Sequence, residues 1–333
     1  MAGPSKEKKT LQMTVQTVWE ARKSIQSVVK KTPLIHSKKL SAQYGATIYL
    51  KYEHLHESNA FKMRGAVNAI NHLTAEEKAH GVTTFSTGNH GLAVALAAKK
   101  MGIRACICVS KHVPTVKLAA IKELGAELEI YGEAQDDAEQ RCYQLEKEQG
   151  LAVIPPFDHP HVIAGQGTIA LEILEDLPQV DCVIGGLSGG GLLSGIGLVM
   201  KQTNPDIRVF GVSMEKGAAM HESLQAGKTV SVTEESTLAD SLLGGIGSNN
   251  RYTFQMTKNY VDKSFLIPEH SIAKGMAYLY KEHHIMVEGA AAIGVGALLD
   301  ELLPIDRQEN IVLIISGCNV DGVSHFKAIE SYI

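Results

Sequence analysis

Lys62 is the residue whose surroundings first suggest chemistry. It lies in Ser58-Asn59-Ala60-Phe61-Lys62-Met63-Arg64-Gly65, after a run with strand character over 46–52. A run with helical spacing follows over 63–72, with Val67, Ile70 and Leu73 at apolar positions. Ser58 and Asn59 are N-cap residue types, which predicts Lys62 in or just before the first helical turn. There the positive end of the helix dipole disfavours an ammonium. A lysine displaced toward its free amine is suited to Schiff-base chemistry. Taken alone, it reads better as a solvated lysine on a helix face.

Three loops give Lys62 company. Gly185-Gly186-Leu187-Ser188-Gly189-Gly190-Gly191-Leu192 joins an apolar strand to an apolar helix. Three successive glycines let backbone amides turn inward unobstructed, and the helix adds a positive dipole end. The pattern suits a phosphate cradle or a plain glycine turn. It has neither the spacing of a dinucleotide fingerprint nor the lysine of an ATP-binding loop. Ser86-Thr87-Gly88-Asn89-His90-Gly91 marks another strand-to-helix junction, where small hydroxyls and free amides can grip a carboxylate or simply cap a helix. Asn89 there can donate to a phenolate-like oxygen. Ser316-Gly317-Cys318-Asn319 ends a strand expected over 311–315. In an open parallel sheet, ligands gather outside the carboxyl ends of the strands, where all these stretches are expected.

Positioning them requires a scaffold, and the pattern predicts one. Strands are expected over 46–52, 82–85, 104–109, 126–131, 151–154, 182–184, 208–212, 263–267 and 311–315. Helices are expected over 15–29, 63–72, 91–101, 115–124, 134–149, 162–177, 192–202, 217–226, 249–258, 269–283 and 288–303, with one more at the end. The stretch 227–247 is irregular. Strand–helix alternation of this length predicts an α/β fold, a parallel sheet with helices on both faces. Composition marks no domain break, and Pro155-Pro156 is the one local candidate.

The bulk numbers bound the rest. With 333 residues, 44% of them hydrophobic and 20% charged, the chain can bury a substantial core. A formal charge of −4 gives no global attraction for nucleic acid or an anionic membrane surface. No run of about 18 apolar residues could span a bilayer. Residues 1–9 lack a secretory core and are expected to form a disordered lead. The five cysteines have no metal-finger spacing and are expected to be reduced and cytosolic. Cys106 and Cys108 are expected to put their thiols on opposite faces of a strand. Fourteen histidines, among them His54, His56, His159, His161, His283 and His284, form no ligand motif.

Taken together, the lysine stretch and the three loops resemble fold-type II pyridoxal-phosphate enzymes, the group of threonine/serine dehydratases and serine racemases. Order and spacing match from about Val15 to the end. The resemblance implies two doubly wound sheets of the tryptophan synthase β type. It implies a large domain of 1–79 plus 156–333 that binds pyridoxal 5′-phosphate, and a small mobile domain of 80–155. Lys62 would carry the cofactor as a Schiff base and move the α-proton, with Phe61 beside the ring and Asn89 on its phenolic oxygen. Amides of Ser188, Gly189, Gly190, Gly191 and Leu192 would hold the phosphate, and Ser316 would face the pyridine nitrogen. Ser86, Thr87, Gly88 and His90 would bind the substrate carboxylate. A neutral partner such as Ser316 leaves the ring a weaker electron sink, which suits elimination. The activity implied is dehydration of a β-hydroxy amino acid such as L-threonine or L-serine by a cytoplasmic homodimer. Serine racemisation is the alternative.

Departures sharpen this picture. Racemases of the group carry serine where this chain has Thr87, whose methyl crowds the site and narrows χ1. The group's divalent-cation carboxylates are replaced by Ser213 and Ala219, so no metal is expected. Ser188 replaces the first glycine usual in the phosphate loop. Glu288, in Val287-Glu288-Gly289-Ala290, resembles a pocket glutamate of the group or is a helix-start carboxylate. Stretches 211–220, 237–241 and 245–254, with the Ser188 variant loop, resemble the hydroxyectoine-utilisation dehydratase branch.

Overall fold

The computed structural model describes residues 12–86, 88–111, 115–133 and 135–333. The expected lead therefore lies outside the described residues. Along the chain run α1 (Val15–Ile25), β1 (Leu34–His36), α2 (Lys38–Tyr44), β2 (Thr47–Tyr52), α3 (Lys62–Asn71), α4 (Ala75–His80), β3 (Val82–Thr84) and α5 (Asn89–Met101). Then come β4 (Ala105–Val109), α6 (Thr115–Glu123), β5 (Glu127–Ile130), α7 (Gln135–Gln149), β6 (Ala152–Val153), α8 (Pro160–Asp176), β7 (Cys182–Gly186) and α9 (Gly191–Thr203). The chain continues through β8 (Arg208–Met214), α10 (Ala219–Ala226), α11 (Thr253–Tyr260), β9 (Lys263–Ile267), α12 (Glu269–His283), α13 (Gly289–Leu299), β10 (Asn310–Ile315) and α14 (Gly322–Ile329).

Two sheets result. The larger has the order β1-β2-β10-β7-β8-β9 and the smaller β5-β4-β3-β6. All pairings are parallel except that of the edge strand β1, which runs antiparallel to β2. Sequence reading did not foresee β1, α2 or α4, each too short to establish a period. It also ran α1 past Ile25, where the amides of Val28 and Val29 turn back onto the Ile25 carbonyl instead.

Alternation within strands sorts the core onto faces. In β10, Ile311, Leu313 and Ile315 pack toward α12 and α13, whereas Val312 and Ile314 pack toward α8 and α9. Strands buried on both sides read as continuous apolar runs, as β10 does. In the smaller sheet, Ile107 joins the α3 and α5 side, while Cys106 and Cys108 join Ala138, Cys142 and Leu145 of α7. The expected opposition of Cys106 and Cys108 is thus wrong. Residues two apart in a strand share a face.

Helices α3, α8 and α9 meet backbone to backbone. A methyl group on Gly165 would stand 2.6 Å from the Arg64 carbonyl oxygen and the Gly65 Cα. One on Gly195 would stand 2.6 Å from the Gly167 nitrogen. Only glycine permits such approach. Helix α8 is therefore the common support for the helices that begin at Lys62 and at the glycine loop.

Behind α3 lies a buried ionic cluster. The Arg64 guanidinium donates to both carboxylates of Glu53 (2.7 and 2.9 Å) and Glu172 (2.7 and 2.8 Å). Lys51 Nζ donates to Glu172 Oε2 and to the Thr32 carbonyl, both at 2.6 Å. All four charged residues are buried. Burial alone would raise the Glu53 carboxyl, but Arg64 and His56 outweigh it and hold it well below the usual carboxylate range. Two cations thus balance two anions, as burial of charge requires.

Candidate active site

Strands β2, β10 and β7 are neighbours in the larger sheet, and the loops leaving their carboxyl ends carry Lys62, Ser316 and the glycine run. The lysine loop is pinned to the Ser316 loop. Ala60 bridges Gly317, the Phe61 amide donates to the Ser316 carbonyl at 3.0 Å, and the Cys318 amide donates to the Asn59 carbonyl at 2.9 Å. Asn319 Nδ2 donates to the Ser58 carbonyl at 2.9 Å. Asn59 adopts the left-handed region, φ 57°. Neither Ser58 nor Asn59 caps α3. Its N-cap is Phe61, and the Ser58 hydroxyl turns instead to the Ala60 carbonyl. Tertiary pinning by the β10 loop sets this helix start, not local capping.

Lys62 is the first residue of α3, as expected. Its Nζ donates to the Pro156 carbonyl at 2.7 Å and lies 5.2 Å from the Phe61 ring centroid. Burial of the amine lowers its pKa to about 8, against the opposing pull of Glu288. The depressed value matches the sequence expectation, but its principal cause is desolvation rather than the helix dipole.

The glycine run fits an anion. Gly189 to Leu192 are buried, Gly190 takes φ 84°, and α9 starts at Gly191. Among the described residues, the amides of Ser188 to Leu192 have no acceptor. Five unpaired donors around a helix start form a seat for phosphate. Its glycines have no room for side chains. A methyl on Gly189 would collide with the Phe157 ring, and one on Gly190 would stand 2.6 Å from Thr257 Oγ1.

From the smaller sheet, Ser86 and Gly88 lead into α5, with Gly88 at its N-cap. Thr87 lies outside the described residues. Asn89 Nδ2 donates to Glu288 Oε1 at 2.7 Å, and its Oδ1 accepts from Asn319 Nδ2 at 2.6 Å. These two bonds fix which end of the Asn89 amide is the donor. Glu288 Oε2 accepts from Ser241 Oγ at 2.8 Å. Glu288 is thus the N-cap residue of α13, as one sequence reading expects, and its carboxylate also joins Asn89 to Ser241. His90 is buried, and its Nε2–H donates to the Ile154 carbonyl at 2.9 Å. Burial, then the nearby Lys62, push it down to about 3, so it is neutral. The His90 side chain is committed to that carbonyl. Ser316 is buried at the end of β10, and its hydroxyl bonds to none of the described residues. Ser213 Oγ donates to the Leu187 carbonyl at 2.9 Å, and Ala219 is buried in apolar surroundings.

Sequence reading missed Pro156, Phe157, Asp158 and Ser241 as site residues. Asp158 caps a helix remote in sequence, so no local spacing signals it. Ser241 lies in the irregular stretch, inside one of the segments that carried the branch resemblance.

A reactive amine after β2, an anion seat after β7 and a small hydroxyl on the intervening β10 loop define an enzyme built around a phosphorylated aldehyde. The chain belongs to the family of pyridoxal-phosphate dependent enzymes, whose profile matches residues 25–317. A Sinorhizobium fredii protein provisionally named threonine dehydratase is 43% identical over 321 residues, covering 96% of each chain. An L-threonine ammonia-lyase of Thermotoga maritima is 38% identical over 309 residues, 93% of this chain and 76% of that one. Maize serine racemase superposes with a TM-score of 0.89 at 32% identity, covering 96% of this chain and 97% of that one.

Proposed function

We propose that this enzyme is a lyase that eliminates water from a β-hydroxy amino acid, such as L-threonine or L-serine, giving a 2-oxo acid and ammonia. The observation that carries the reading is Lys62 at the start of α3, whose amine meets a carbonyl rather than a carboxylate and is pushed by burial to about 8, on the same sheet edge as the amide seat. Pyridoxal phosphate, when bound, supplies an electron-withdrawing ring that takes up charge released at the α-carbon. The chain does the rest. Lys62 Nζ would carry the cofactor and, as a free amine, would act as the base for the substrate's α-proton. The Ser188–Leu192 amides would hold the phosphate, Asn89 Nδ2 would serve the phenolic oxygen, and Phe61 would pack beside the ring. Ser316 would face the pyridine nitrogen as an uncharged partner, which suits elimination. The start of α5, with Ser86, Thr87, Gly88 and the backbone amide of His90, would take the substrate carboxylate. In sum, the α C–H and β C–O bonds break, water leaves, and hydrolysis of the nitrogen-bearing product releases ammonia without net oxidation.

We further propose that residues 1–79 plus 156–333 form the large domain and 80–155 a small domain that moves on substrate binding. The smaller sheet drawn from 82–153 supports this division. Solution scattering with and without a substrate analogue tests the motion. We propose a cytoplasmic homodimer. All five cysteines are free, and no helix among the described residues is long and apolar enough to cross a membrane. The activity is tested with a panel of L- and D-β-hydroxy amino acids, following 2-oxo acid release beside chiral chromatography. Racemisation faster than elimination would overturn the lyase reading.

A further inference from the structure

The phosphate seat stands between two walls. In front is Phe157, its ring against Gly189 and its Cβ and main chain against Gly191. Behind is α11, whose Thr253 and Thr257 side chains close on Gly190. The residue after Phe157 joins the walls. Asp158 Oδ1 accepts from the amides of Tyr252 and Thr253, each at 2.9 Å, and Oδ2 accepts from the Arg251 amide at 2.6 Å. These are the donors at the start of α11, and a carboxylate there also meets the helix dipole favourably. The anchor explains why α11 begins at Thr253 rather than near the 249 expected from sequence. We propose that Asp158 is a positioning residue for the cofactor's phosphate: by locking Phe157 to the start of α11, it fixes the glycine amides between them. Its carboxylate is taken up by the three amides at the start of α11. The inference rests on reading Ser188–Leu192 as the phosphate seat.

The test compares two aldehydes on the cofactor-free protein, pyridoxal phosphate and pyridoxal, which differ only in the phosphate. Dissociation constants are read from absorbance of the lysine-bound aldehyde, alongside melting of the unliganded protein. Asp158→Asn keeps the shape but turns its amide NH2 toward the Arg251 N–H, so one acceptor is lost and two N–H donors face each other. Pyridoxal phosphate should bind roughly tenfold more weakly, with pyridoxal unchanged within about twofold. Phe157→Leu, which keeps the carboxylate and thins the front wall, should show the same selective loss to a smaller degree. Equal loss for both aldehydes would mark Asp158 as a general support and overturn the proposal. So would wild-type phosphate preference retained by both variants. Wild-type protein that takes the two aldehydes equally well would overturn the phosphate seat itself, and the proposal with it.

Discussion

Lys51 and Lys62 flank one loop and have opposite fates. Both are pushed below the ordinary lysine value, first by burial. Lys51 has Glu172 at 2.6 Å, within a cluster where two cations meet two anions. Lys62 has a carbonyl at 2.7 Å, and the carboxylate that acts on it, Glu288, is bonded to Asn89 and Ser241 instead. A buried lysine becomes structural when a carboxylate answers it directly. It stays reactive when the nearby carboxylate is turned to other donors.

Removing each amine should separate the roles. Lys62→Ala should cut 2-oxo acid release by at least about 10³-fold with the melting temperature little changed, since covalent and proton-transfer functions go together. Lys51→Ala should do the reverse. It leaves Glu172 short of a buried partner, which should cost about 3–5 kcal/mol in denaturant unfolding while Lys62 still takes the cofactor. Loss of cofactor attachment in a stably folded Lys51→Ala protein would break the comparison.

Acidity sharpens it further. Unfolded, Lys62 keeps its proton to the ordinary 10.5; folded, it releases it near 8. Between those values the unfolded chain binds more protons, so raising pH favours the fold. Cofactor-free wild type should gain in melting temperature on Lys62→Met as pH climbs from 8 to 10.5, and the difference should be flat below 8. A flat difference throughout would mean that Lys62 titrates as an ordinary lysine.

Asn319→Ala tests the orienting bond to Asn89. Turnover should fall about tenfold, with the melting temperature moving by only ~2 °C. Finally, a chelator should leave both activity and melting unchanged. Ser213 is committed to Leu187 and Ala219 offers no oxygen ligand, so the hard oxygens that calcium or magnesium needs are missing there. Magnesium-reversible destabilisation would show a cation held elsewhere.

Where the sequence was legible, it was so for local reasons. Short continuous apolar runs exposed most strands, and helix α12 falls on the residues its periodicity marks. Lys62, the glycine run and Ser316 stood out because each sits just past a strand end. The glycine loop needs only its own backbone to be recognised. What stayed hidden depends on partners distant in sequence. Glu53 and Glu172 sit where polar residues ordinarily face solvent, and only the fold brings Arg64 between them. The lowering of the Lys62 pKa was foreseen, but its main source was not, because burial is a property of the assembled site. Asp158 was invisible because the helix it caps lies far along the chain.

The glycine contacts of α3, α8 and α9 work as a fixed gauge. One end of the gauge is the amine at the start of α3, and the other is the anion seat at the start of α9. Both helices rest on α8 through bare main chain, at Gly65 with Gly165 and at Gly167 with Gly195. Main chain has one thickness, whereas side chains come in many. Mutational drift can therefore rewrite the surrounding core without altering the gap across which the cofactor must fit. New substrate preferences then have to arise in the loops around that gap, while its span is inherited unchanged.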